Sequence, residues 1–272
     1  MQNSLRHLPP ITSLQITMAH FYQITDQHSA FLREDITTPA QARKERIKNG
    51  KIAVASVTEK LKLFPSEFFN NWRIKEGIRI TRDNLHLDDS TIAERIWGTR
   101  QHPVTGEEVG SAAWGTECHK HLESAMNNNR FPNEWEPFIK PFIAWTNESA
   151  FEVLATETVI ASTDPSYNTA GTIDLLAKIN GKIALLDYKT RKVSEGGDIK
   201  KKALPKDCMQ LASESHMVRD MMHLDYNPKI YTVLIDTETG STHVKEWSDK
   251  AFEKALSHAI HCFVFYDGIN GL

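Results

Sequence analysis

The chain has 272 residues, 40% apolar and 25% charged, which suits one large domain, or one domain with an appendage, and is too balanced for wholesale disorder. With 32 Lys and Arg against 35 Asp and Glu, the formal charge is −3, which excludes holding a polyanion by overall charge but leaves room for a local basic groove. No apolar run approaches the ~18 residues of a membrane helix, and Cys118, Cys208 and Cys262 are too few and too scattered for a disulfide framework or a four-thiolate metal site.

The first residues lack the charged start and apolar block of a secretion signal, so a soluble cytoplasmic protein is expected ahead of a mitochondrial matrix one. Residues 1–110 read as a region of short helical pieces. A charged helix covers 40–48 with Arg43, Lys44, Arg46 and Lys48, and Ser56-Val57-Thr58 opens a short helix through Leu63. Pro65 begins another, with Phe68, Phe69 and Trp72 at helical spacing; these rings suit a core or a platform for stacking bases. Three glycines and a proline make 98–110 a loop. Helices follow at Ser111–Met126 and at 134–148, the latter apolar through Trp135, Phe138, Phe142 and Trp145.

The period then changes from helical to alternating. Residues 151–163 read as a strand, and 171–179 and 182–190 as two more around Asn180-Gly181. Residues 191–206 are polar and basic, 207–223 a helix, 229–236 and 241–247 a strand pair, and Asp249–Phe265 a closing helix. The layout is α/β, with 111–272 as the core and 1–110 as a helical part in front of it.

Asn-Gly between two β-rich runs is a strong hairpin signal, because both turn residues need φ > 0. A two-residue loop there places Asp174 opposite Asp187 and Thr172 opposite Lys189. The strands are apolar on both faces, with Leu176, Ile183 and Leu185 on one and Ile173, Leu175, Ala177, Ile179, Ala184, Leu186 and Tyr188 on the other. Two facing carboxylates on buried strands need a compensating cation, and oxygen ligands favour magnesium or manganese. Lys189, two residues after Asp187, would then stabilise negative charge developing beside that cation. The plainer alternative is a surface hairpin with solvated charges. On the helix before it, Trp114, Cys118, Leu122 and Ala125 form the core stripe. Gly115, His119 and Glu123 form the adjacent one, so His119 can complete a coordination shell with Glu123 in support, while His121 points to solvent.

Gly115-Thr116-x-x-His119-x-x-x-Glu123, Glu157, Gly171-Thr172-Ile173-Asp174, Leu185-Leu186-Asp187-Tyr188-Lys189-Thr190 and Gln210-Leu211 together resemble the PD-(D/E)xK nuclease superfamily, in its RecB-type exonuclease branch. Ala55–Leu61 and Phe68–Trp72 are similar to the opening of phage exonucleases and of the mitochondrial genome maintenance exonuclease. The resemblance implies a mixed central sheet flanked by helices. It also implies that His119, Asp174, Asp187 and the Tyr188 carbonyl bind one or two Mg2+ or Mn2+ ions. Lys189 would be the catalytic lysine, Glu157 a further catalytic acid or second-metal ligand, and Gln210 a residue holding DNA or the site. Many relatives carry a tyrosine where this chain has Glu214, and three cysteines cannot supply the iron–sulfur cluster of some relatives. The implied activity is a metal-dependent DNA exonuclease acting on single strands or ends in replication, recombination or repair. The alternatives are a non-catalytic nucleic-acid-binding protein on a degenerate nuclease fold, or a structure-specific endonuclease. Arg191, Lys192, Lys200, Lys201 and Lys202 directly follow the catalytic strand and are the expected DNA-binding cations.

Overall fold

Asn180 and Gly181 adopt φ of 50° and 82°, and the hairpin they close brings Ile179 opposite Lys182 and Leu175 opposite Leu186, in the register a two-residue loop requires. In this computed structural model the hairpin is the centre of a five-stranded sheet. Residues 20–25, 30–49, 52–64, 98–128, 130–162, 164, 167–193 and 196–272 are described, with a few isolated positions between 75 and 92. The expected helix after Pro65, with Phe68, Phe69 and Trp72, lies outside them.

The sheet comprises β6 (Phe151–Ser162), β7 (Thr169–Ile179), β8 (Lys182–Arg191), β9 (Lys229–Asp236) and β10 (Thr242–Glu246), in the order β10-β9-β8-β7-β6. All neighbours are antiparallel except β8 and β9. A parallel pair needs a crossover, and the helix Pro205–Met221 supplies it. The architecture is therefore α/β with a mixed sheet, as expected.

Strands that are apolar on both faces need cover on both. On one face lie α3 (Ser111–Asn128) and α4 (Glu136–Asn147), where Trp114, Cys118, Leu122, Trp135, Ile139 and Phe142 pack on Leu175, Ala177, Leu186, Tyr188 and Val233. On the other lie α5 (Pro205–Met221) and α6 (Asp249–Asn270), whose Met209, Leu211, Met217, Phe252 and Phe263 pack on Leu176, Leu185 and Ile230. The predicted core stripe of α3 is fully buried. No helix among the described residues is long and apolar enough to cross a membrane.

The N-terminal part departs from the helical expectation. The charged helix is there as α1 (Pro39–Asn49), and Ser56 caps α2 (Val57–Lys60) by accepting the Glu59 N–H at 3.1 Å. Yet β1 (Phe21–Ile24), β2 (Ala30–Leu32) and β3 (Ala53–Ala55) form a sheet ordered β2-β1-β3. Tyr22 and Val54 of that sheet pack on Ala161 and Ala170, and Ser56 bridges to Ala170. Runs of three or four residues are too short to display a period, so only tertiary pairing reveals them. For the same reason the expected loop at 98–110 is a hairpin of β4 (Thr99–Gln101) and β5 (Glu108–Gly110). Lys60 is fully buried, joining α2 to the Asn168 carbonyl and, at 2.6 Å, to Asp267 at the end of α6.

Candidate active site

The centre of the sheet is irregular where the acidic residues fall. The β7–β8 ladder stops at Leu175↔Leu186, and the β6–β7 ladder omits Glu157 between Thr156↔Leu175 and Thr158↔Ile173, in unchanged register. The unpaired Glu157 between them holds a φ of 46°, in the left-handed region unfavourable to non-glycine residues. The alternation breaks here. Ile173, expected on the face of Leu175, joins the cluster of Leu176 and Leu185 beneath α5 and α6.

Asp174 and Asp187 consequently do not face each other across a closed ladder, which corrects the expected register at its last step. Like charges directly opposed on buried strands are unfavourable. Asp174 instead accepts the backbone N–H of Tyr188 on its Oδ2 at 2.8 Å. Thr172 likewise does not pair with Lys189; its hydroxyl lies 3.0 Å from that of Tyr22, reaching in from β1. His119 of α3 brings Nδ1 to 3.5 Å from the same Asp174 oxygen, its ring edge-on to Tyr188. Gly115, one turn earlier, makes this approach possible, since a Cβ there would lie 3.0 Å from Thr190 Oγ1 on β8.

Asp187 is 2% exposed. Its Oδ1 accepts Lys189 Nζ at 2.7 Å and Gln210 Nε2 at 3.0 Å. Gln210 also accepts Lys189 Nζ on Oε1 at 3.2 Å and donates from Nε2 to Glu214 Oε1 at 3.1 Å. Asp187 Oδ2 is buried without any hydrogen-bond partner. A buried carboxylate oxygen left bare is costly unless something else completes it.

Burial leads the shifts of the three acids, and neighbouring carboxylates that of the lysine. Burial pushes Glu157 up to about 7, with Asp174 and Glu123 adding to it. Burial also raises Asp187, against the pull of Lys189 and with a push from Asp174. It holds Glu214 well above the usual carboxylate range, with Asp187 and Asp174 contributing. For Lys189, burial acts downward, but Asp187, Asp174 and Asp207 outweigh it and the ammonium is strengthened. In all four the neighbouring carboxylates push the same way, second to burial for the three acids. An oxygen-rich set with one imidazole, one orphaned carboxylate oxygen and surplus negative charge suits a hard divalent cation. Among the described residues no three His, Cys, Asp or Glu side chains form a ready-made coordination group. Lys189 and the Tyr188 N–H hold oxygens that ligation would use.

His119, Glu123, Glu157, Asp174, Asp187, Tyr188, Lys189 and Gln210 thus all belong to one neighbourhood. The expected DNA-binding cations do not join it. Arg191 is turned to Asp207 at 3.0 and 3.2 Å, and Lys192 pairs with Glu238 at 3.1 Å. Lys200, Lys201 and Lys202 occupy a 3-10 turn packed on β9 and the edge strand β10. His121 is not solvent-facing: its ring lies tilted against Trp135, and Glu117 sits 3.6 Å from it and bonds His102 at 2.7 Å, tying the β4–β5 hairpin to α3. A cavity of about 670 Å³, lined by none of the clustered residues, lies between residues 192–193 and 196–199 and the β9–β10 turn. Glu214 and Tyr22 are the residues that sequence reasoning missed. Glu214, four residues after Gln210 on one helix, was detectable by spacing, whereas Tyr22 carries no such signal.

A scan against protein-family models matches none, and no curated protein is significantly similar to the chain.

Proposed function

We propose that the chain is a divalent-metal-dependent deoxyribonuclease with a PD-(D/E)xK core, acting as an exonuclease on single strands or DNA ends. The observation that carries this reading is the bare Asp187 Oδ2, buried beside a Lys189–Gln210 pair with Asp174 and His119 alongside. The resemblance of the same residues to RecB-type nucleases supports it independently.

Asp174, Asp187 and His119, with the Tyr188 carbonyl, would hold the cation, and Glu157 is placed to serve a second. Bound Mg2+ or Mn2+ supplies a water of lowered pKa and positive charge at the phosphate. Lys189 keeps its proton, because carboxylates surround it, and stabilises the charge that the phosphorus gains as water adds. As the water oxygen bonds to phosphorus the P–O bond to the leaving oxygen breaks; the water gives up a proton to solvent and the leaving oxygen takes one from it. Gln210 fixes Lys189 and Asp187 relative to each other with one amide. The acidic surroundings repel the backbone of DNA until a cation neutralises them, so cation and substrate bind cooperatively.

The test is incubation of end-labelled linear and circular DNA, single- and double-stranded, with magnesium, manganese or chelator. Metal-dependent shortening of linear strands with circles left intact is expected. Products from circles would replace the exonuclease by an endonuclease. Binding without cleavage under every metal condition would leave only the non-catalytic reading.

A further inference from the structure

β7 and β8 part company inside the candidate centre. Past Leu175↔Leu186, β8 stays on β9, pairing Asp187–Arg191 with Thr232–Asp236, while β7 no longer follows it. Asp174 and Asp187 are the first residues beyond that last rung, one on each arm of the fork. β7 keeps β6 along one edge, from Ile173↔Thr158 to Thr169↔Ser162. The N-terminal sheet takes the edge that β8 has left. Ala170 already pairs with Ala161 of β6, so its parallel bridge to Ser56 falls on the opposite edge. Beside it, the Thr169 hydroxyl donates to the Ala55 carbonyl at 3.0 Å.

One side chain carries this contact towards Asp174. Tyr22 of β1 is 4% exposed, and its ring packs with Val54, Ala161 and Ala170. Its hydroxyl lies 3.0 Å from that of Thr172, two residues before Asp174. Burial raises the phenol above its ordinary value, so it keeps its proton at neutral pH and one of the two hydroxyls always has a hydrogen to give. Gly171, between Ala170 and Thr172, lies close to both halves of the surroundings: a Cβ there would be 3.5 Å from Glu214 Oε1 and 3.6 Å from Val57 Cγ2.

We infer that Tyr22 is a positioning residue of the candidate centre: by its bond to Thr172 it fixes the free arm of β7, and with it Asp174, where pairing with β8 has ended. This rests on the nuclease reading above and adds the N-terminal sheet to the framework of the metal site. Tyr22 acts through Asp174 alone, so it sets metal affinity and leaves the DNA contacts and Lys189 as they are.

The experiment is manganese calorimetry, with cleavage of an end-labelled single strand over a range of manganese concentrations. The proteins are the parent, Tyr22→Phe, Thr172→Val, Thr172→Ser and the double variant Tyr22→Phe with Thr172→Val, each measured well below its own unfolding midpoint. Tyr22→Phe keeps the packed ring and removes only the hydroxyl. A hydrogen bond between neutral groups is worth about a factor of five, so each of Tyr22→Phe and Thr172→Val should weaken manganese by about that factor. The double variant should be no weaker than either single one, because both remove the same bond. Cleavage at limiting manganese should fall by the same factor and return when manganese is raised in proportion, with KM for DNA unchanged. Thr172→Ser keeps the hydroxyl and should match the parent. A merely structural bond would lower the unfolding midpoint of Tyr22→Phe and leave its manganese titration on the parental curve. That result, or single effects that multiply in the double variant, overturns the role of Tyr22 while the nuclease reading stands. If the parent neither binds manganese nor cuts DNA with it, the nuclease reading falls and the role of Tyr22 with it.

Discussion

Glu157→Gln should stabilise the metal-free protein, by an amount that depends on pH. The Glu157 carboxyl has an ordinary value of 4.5 and is raised to about 7 in the fold. A carboxyl held above its unfolded value binds its proton more tightly when folded, so stability falls as pH rises from about 4.5 to about 7, then levels off. At about 1.4 kcal/mol per tenfold difference, complete ionisation at pH 8 costs about 3 kcal/mol. Glu157 is exposed by more than a third of its surface, and solvent screening reduces that to about 1–2 kcal/mol. Glutamine keeps the shape and removes the charge. Urea denaturation should show parent and variant equal near pH 4.5, with the variant ahead by about 1–2 kcal/mol at pH 8, or about 2–8 °C in Tm. Manganese should narrow the gap, since a bound cation relieves the same repulsion in the parent. A difference that is constant across pH, or a variant less stable at pH 8, would refute the electrostatic reasoning.

Asp174→Ala and Asp187→Ala should each abolish manganese binding in calorimetry, and unchanged binding in both would remove the proposed centre. Lys189→Ala should keep metal and DNA binding but cut the rate by about 10²–10³, the usual cost of one preorganised electrostatic donor; a parental rate would make Lys189 structural. Lys60→Met should destabilise the protein by at least ~2 kcal/mol in chemical denaturation. It strands Asp267, although that side chain's 17% exposure keeps the loss below that of a fully buried pair. A loss within ±0.5 kcal/mol would show that the buried ion pair contributes nothing net.

The elements with enough length to show a period were legible. The α3 core stripe, the Asn180-Gly181 hairpin and its register as far as Leu175↔Leu186 follow from spacing and turn chemistry. The end of the ladder before Asp174 was not legible, because there Asp174 takes the Tyr188 N–H and Glu157 of a third strand stands unpaired. The resemblance implied only that Gln210 holds DNA or the site, and its contact with Lys189 was not legible, since 21 residues and a crossover separate the partners. Arg191 and Lys192 read as free cations because their neutralising partners, Asp207 and Glu238, come from other elements. The β1–β3 sheet escaped because its strands are too short for patterning to register.

The crossover from β8 to β9 also bears on how this protein can change. Asp187, Lys189, Gln210 and Glu214 all lie on one strand, its connection and the following helix. The described residues of the connection between Arg191 and Pro205 make none of the contacts that join those four side chains. Doubling the length of a flexible loop costs only about 0.6 kcal/mol in closure entropy. Insertions there can reshape what borders the exit from β8 while Lys189 keeps its place on the Gln210 amide. That half of the centre is carried by two adjoining elements, and its surroundings can be altered without touching it.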